Sequence, residues 1–72
     1  MGNRTIEVEK IKNCILSSGY RIALFRVLDP IASKMNCRYL VAIKRRSIEK
    51  QYRFFEPANA INCYLEMICR YA

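Results

Sequence analysis

The run YRIALFRVL, residues 20–28, constrains the fold more than any other part of the chain. It is rich in β-branched, aromatic and long aliphatic side chains and too short for a typical buried helix, which predicts a strand. Alternation sends Tyr20, Ile22, Leu24 and Leu28 to one face and Ala23, Phe25 and Val27 to the other, so both faces are apolar and both want cover. Such a strand belongs in a sheet with another layer packed on it, or with a partner on its outer face. The 72 residues support one hydrophobic core, so 1–72 reads as a single small basic α+β domain. At 53% hydrophobic and 26% charged residues the chain lies outside the signature of disorder.

The segments around this strand supply the remaining elements. Val8, Ile11, Cys14, Ile15 and Ser18 fall at spacings of three and four, which predicts an amphipathic helix over 5–18 with Thr5 as its cap and Gly19 beyond its end. Asp29-Pro30 breaks the apolar run, and Asp29 can cap a single helical turn over 31–35, unless that stretch is an irregular hairpin loop. Residues 37–45 alternate, with Tyr39, Val41 and Ile43 on one face and Arg38, Leu40, Ala42 and Lys44 on the other, which predicts a second strand. Residues 46–50 have the polarity of a turn and 51–55 read as a third strand. Pro57 suits the first position of a last helix, where its missing N–H costs nothing. That helix carries two apolar stripes, Ala58, Ile61, Leu65 and Ile68 beside Ala60, Tyr64, Met67 and Tyr71. The expected order is therefore α-β-β-β-α, a three-stranded antiparallel sheet with two helices packed on one face.

The chemistry of the chain argues against catalysis. There is no histidine, the usual acid-base group near neutral pH, and with only Gly2 and Gly19 there is no glycine-rich phosphate loop. Glu7 and Glu9 are two apart on the expected helix and face different ways, while Asp29 and Glu56 sit at element starts, where capping accounts for them. Cys14, Cys37, Cys63 and Cys69 contain no C-x-x-C pair, so the expectation is free thiols acting as small buried hydrophobes, with no metal and no cofactor. Residues 1–10 are polar and show no signal peptide, and no apolar run approaches the roughly 20 residues of a membrane helix, so a cytoplasmic setting without membrane attachment is expected. The Gly2 start lacks the Ser or Thr that a myristoylation motif wants at position 6, where Ile6 stands.

What remains is charge. Thirteen Lys and Arg against six Asp and Glu give a formal net charge of +7, a field that attracts phosphate polymers and acidic protein faces alike. The cations concentrate in CRYLVAIKRRSIEKQYRFF, at Arg38, Lys44, Arg45, Arg46, Lys50 and Arg53, with Tyr39, Tyr52 and Phe54 interleaved. If the two strands here form a hairpin, these cations gather at one end of a β-ribbon, a shape that fits the major groove, while the aromatic residues suit base stacking. The candidate nucleic-acid-binding residues are accordingly Arg38, Lys44, Arg45, Arg46, Lys50, Tyr52 and Arg53. The expected function is a small regulatory protein that binds DNA or RNA. The alternative is a regulator, inhibitor or adaptor that docks on an acidic partner, with a homodimer through the doubly apolar strand meeting the same need for cover.

Strand-strand-strand-helix order, with Phe54 closing the third strand, Ala60 six places on and Tyr64 ten places on, resembles the AP2-type DNA-binding fold and the arm-binding domains of phage integrases. That resemblance implies a strand face that reads DNA through Arg38, Lys44, Arg45, Arg46 and Arg53, with Phe54, Ala60 and Tyr64 as packing residues behind it. The Gly and Trp usual in AP2 strands are absent, and the expected first helix is extra. The full α-β-β-β-α order is similar to that of double-stranded RNA-binding domains, whose lysine cluster at the start of the last helix is replaced here by Pro57, Ala58, Asn59 and Ala60.

Overall fold

The computed structural model describes residues 8–28 and 37–72. Four strands, β1 (Val8–Ile15), β2 (Arg21–Val27), β3 (Tyr39–Arg45) and β4 (Ile48–Phe54), precede one helix, α1 (Pro57–Tyr71). The strands form one antiparallel sheet in the order β1-β2-β3-β4. The expected first helix and three-stranded sheet are thus corrected to a fourth strand and a single helix among the described residues. Thr5, the expected cap, and the expected turn over 31–35 lie outside the described residues.

The physical reason for the correction is pairing with β2, which overrides the apolar spacing and includes a β-bulge. Lys10 pairs with Phe25 and Lys12 with Leu24, so Ile11 is an extra residue that shifts the phase of the strand. The apolar residues that share a helical spacing are divided by this register: Val8 and Ile15 lie opposite Val27 and Arg21 on one face, Cys14 lies opposite Ile22 on the other, and Ile11 is the bulge. Gly19, at φ +97°, closes the following turn, where its N–H donates to the Leu16 carbonyl and the Leu16 N–H donates to the Tyr20 carbonyl. Among these eight residues only Cys14 is even half-buried, so β1 is an edge strand held by its ladder to β2 rather than by an apolar stripe.

The other strands lie close to their expected places. Arg45 pairs with Ile48 across a turn of Arg46 and Ser47, shorter than the five-residue turn the sequence implied, so β4 begins at Ile48. Ile22, Leu24, Val41 and Ile43 project toward α1 and form the core with Ala60, Tyr64 and Met67. Pro57 occupies the first turn of α1 as expected, and Arg70 in the last turn places a cation at the negative end of the helix dipole. Of the two helical stripes, the one containing Ala60, Tyr64 and Met67 is buried, while Ile61 and Leu65 remain 43% and 54% exposed. Burying each large aliphatic side chain under α1 contributes about 1.5–3 kcal/mol. Because Ile22 and Leu24 are inside this core, they do not form the uncovered patch that would have required a partner.

Candidate nucleic-acid interface

Helix α1 covers one face of the sheet only. On the other face the register aligns three rows across the strands. These are Ile15, Arg21, Lys44 and Glu49, then Asn13, Ala23, Ala42 and Gln51, then Lys10, Phe25, Leu40 and Arg53. The two alanines leave the middle of this face low, and side chains rise around them to form an open trough of about 510 Å³. Its floor is Ala23, Ala42, Phe25 and Leu40, and its rim carries Lys10, Arg21, Lys44 and Arg53, with Glu49 and Gln51 on the β4 side. The Lys10 ammonium lies 5.9 Å from the centre of the Phe25 ring. At the end of the trough nearest Phe25, Val27, Cys37 and Leu40 make a second, smaller apolar cluster.

Arg21 and Lys44 line both this trough and a smaller concavity of about 370 Å³ at the corner of the sheet, where Gly19, Arg45 and Arg46 complete the wall. Arg45 is steered there by an aromatic stack. Its guanidinium sits 5.2 Å from the Tyr20 ring centre, and Tyr20 in turn rests on Tyr71 at 4.5 Å. Arg46 holds φ +54° in the two-residue turn, a left-handed conformation that costs a non-glycine residue about 1–2 kcal/mol.

The sequence-derived candidates separate on this framework. Lys44 and Arg53 stand on the open face, Arg45 and Arg46 at its corner, and Arg38 is exposed just before β3. Lys50 pairs with Ile43 and is exposed on the side of the sheet that α1 covers, away from the trough. Tyr52 pairs with Val41 and, with Tyr39 and Phe54, packs against the main core, so the interleaved aromatic residues point away from Lys44 and Arg53. Nor is the β3-β4 hairpin a free ribbon for a groove, since β3 is hydrogen-bonded to β2 on its other side. Sequence reasoning missed Lys10, Arg21 and Phe25, which belong to the same face; the pairing of Arg21 with Lys44 and of Phe25 with Leu40 is the signal that places them.

The ion pairs among the described residues, Arg26 with Glu9 at 2.6 Å and Arg70 with Glu66 at 3.1 Å, lie outside both concavities. All four cysteines are free: Cys37 is buried, Cys14 and Cys63 are half-buried and Cys69 is exposed, so the expectation of buried thiols fails for Cys69. Burial pushes the Cys37 thiol up from its ordinary value, partly offset by the positive charge of Arg53, and burial likewise raises Cys63. No helix among the described residues is long and apolar enough to cross a membrane. The chain is thus defined by its architecture, a four-stranded meander with a helix on one face and a basic trough on the other. No family model, curated protein or solved structure matches it.

Proposed function

We propose that this protein binds nucleic acid, with a single strand lying in the trough on the open face of the sheet, and acts through that binding rather than through catalysis. The observation that carries the reading is the trough itself, an apolar floor of Phe25, Leu40, Ala23 and Ala42 inside a rim of Lys10, Arg21, Lys44 and Arg53. Unstacked bases present flat apolar faces that suit such a floor, and their phosphates suit the rim. A duplex hides its base faces, so it would engage the cations alone.

The test is fluorescence anisotropy with a labelled oligonucleotide at several salt concentrations. If three rim cations each neutralise one phosphate, the logarithm of affinity falls with the logarithm of salt with a slope of about −2. The variant R21E/K44E/R53E loses binding. Salt-independent binding, or undiminished binding by that variant, contradicts the reading.

A second reading, docking on a second copy, draws on the exposed Ile61 and Leu65 and on Phe55, which is 56% exposed. Light scattering separates the two, since a dimer disrupted by I61E/L65E favours this alternative.

A further inference from the structure

The corner concavity has properties the trough lacks. Arg21, Lys44, Arg45 and Arg46 reach it from the start of β2, the end of β3 and the β3-β4 turn, around about 370 Å³. Arg21 and Lys44 are direct cross-strand partners, an arrangement of like charges that destabilises a sheet unless an anion sits between them. Glu49, opposite Lys44, lines the trough and not the corner, so it relieves one of these charges from the side and leaves the concavity basic. Arg46 adds backbone strain at φ +54° where glycine would have none, and strain of this kind persists where the side chain is needed. Gly19 contributes no side chain to the wall, and Arg45 is held against Tyr20, so its fork is oriented before any ligand arrives.

From this convergence we infer that the corner is a pocket for a terminal phosphate monoester, the phosphorylated end of the strand whose body lies in the trough. An internal phosphodiester carries a single negative charge and two free oxygens, fewer than the four cationic residues lining the corner can match. A phosphate monoester carries about −1.5 to −2 at neutral pH and three acceptor oxygens, a better match in charge and in number of donors. The corner lies at one end of the trough and shares Arg21 and Lys44 with it, so a strand running along the floor reaches the corner with its end. This inference rests on the nucleic-acid reading above and adds selectivity for phosphorylated ends to it.

The experiment compares three labelled dodecamers of one sequence, bearing a 5′-phosphate, a 3′-phosphate or hydroxyls at both ends, with the label placed internally. Inorganic pyrophosphate is the competitor. Wild type binds one of the phosphorylated strands about tenfold more tightly than the hydroxyl strand, and the preference shrinks below about pH 6 as the monoester takes up its second proton. R46G, which removes the backbone strain and so remains folded, loses most of this preference while retaining affinity for the hydroxyl strand within about threefold, as expected for a cation outside the trough. Pyrophosphate competes more strongly for the phosphorylated strand than for the hydroxyl strand. Equal affinity for all three strands overturns the corner assignment while leaving the trough reading in place. Binding of pyrophosphate without binding of any strand overturns both, because the corner would then serve a free phosphate compound. Absence of binding by every probe also overturns both.

Discussion

On the covered face of the sheet Ile22, Val41 and Ile43 are buried beneath α1, while one residue away on the same strands Ala23 and Ala42 are half-buried and Arg21 and Lys44 are exposed. The two faces are made by the same strands, and they differ in what lies over them. Helix α1, of 15 residues, covers one face of β2, β3 and β4, where Ile22, Leu24, Val41 and Ile43 are buried, while Lys50 at the margin of that face stays exposed. The opposite face combines two alanines and the small apolar cluster of Val27, Cys37 and Leu40 with cations that need water or an anion. The doubly apolar character of β2 therefore has two origins. One side is a core, and the other is the floor of a trough.

The two faces differ most in what they contribute to stability. Leu24→Ala, under α1, is expected to cost about 2–5 kcal/mol in urea unfolding. That is a large share of the roughly 4–11 kcal/mol expected for a domain of this length. Ala23→Ser, the adjacent residue facing the trough, is expected to change stability by less than about 0.5 kcal/mol. Comparable losses at the two positions would mean that the open face is packed as tightly as the covered one.

Next in size is the contribution of an aromatic platform to binding. Phe25→Ala is expected to weaken binding of a single strand by about 1–3 kcal/mol if one base stacks on it. Tyr52→Phe, on the covered face, leaves affinity unchanged. An effect at Tyr52 and none at Phe25 would reverse the assignment of the faces.

Much of the architecture was legible in the sequence. The alternation of Tyr39, Val41 and Ile43 against Leu40, Ala42 and Lys44 identified β3 and its two faces, and Pro57 marked the start of α1. Strand β1 is hidden because Val8, Ile11, Cys14 and Ile15 have a helical spacing although pairing with β2 sends them to different faces, and Gly19, which suits a helix stop, turns a hairpin. Tyr52 was misplaced because the face of a strand depends on register. The two-residue turn, with Arg45 opposite Ile48, fixes Tyr52 across from Val41, and the length of a turn is not visible in composition. Arg21 and Phe25 were overlooked as site residues for a related reason. They lie far along the chain from the basic block, and only the pairing of β2 with β3 brings them beside it.

A smaller effect sharpens the contrast between fold and site at the turn. R46G is expected to stabilise the protein by about 1 kcal/mol, because glycine adopts φ +54° without strain, while selectivity for phosphorylated ends declines. Gain of stability with loss of selectivity marks a residue retained for what it binds. A destabilised R46G would show that the Arg46 side chain supports the fold instead.

The smallest expected effect is on pH dependence. Burial raises the Cys37 and Cys63 thiols above their ordinary value of 9.0, so the folded chain holds these protons to higher pH than the unfolded chain does. Their contribution to stability is therefore full below pH 9.0 and is lost as pH rises from there through the raised values. Replacing both by alanine flattens that decline in unfolding experiments, whatever it does to stability at neutral pH. A thiol reagent at pH 8 is expected to modify Cys69 first and Cys37 last, following their exposure.

The central claim, that the open face is the one that meets nucleic acid, can be read from alanine methyl groups. Ala23 and Ala42 lie on the floor of the trough, Ala60 is buried between α1 and the sheet, and Ala58 is exposed near the start of α1. Titrating a protein labelled at its alanine methyls with a 5′-phosphorylated single strand should shift the Ala23 and Ala42 signals and leave those of Ala58 and Ala60 in place. Shifts at Ala58 with Ala23 and Ala42 unmoved would contradict the account.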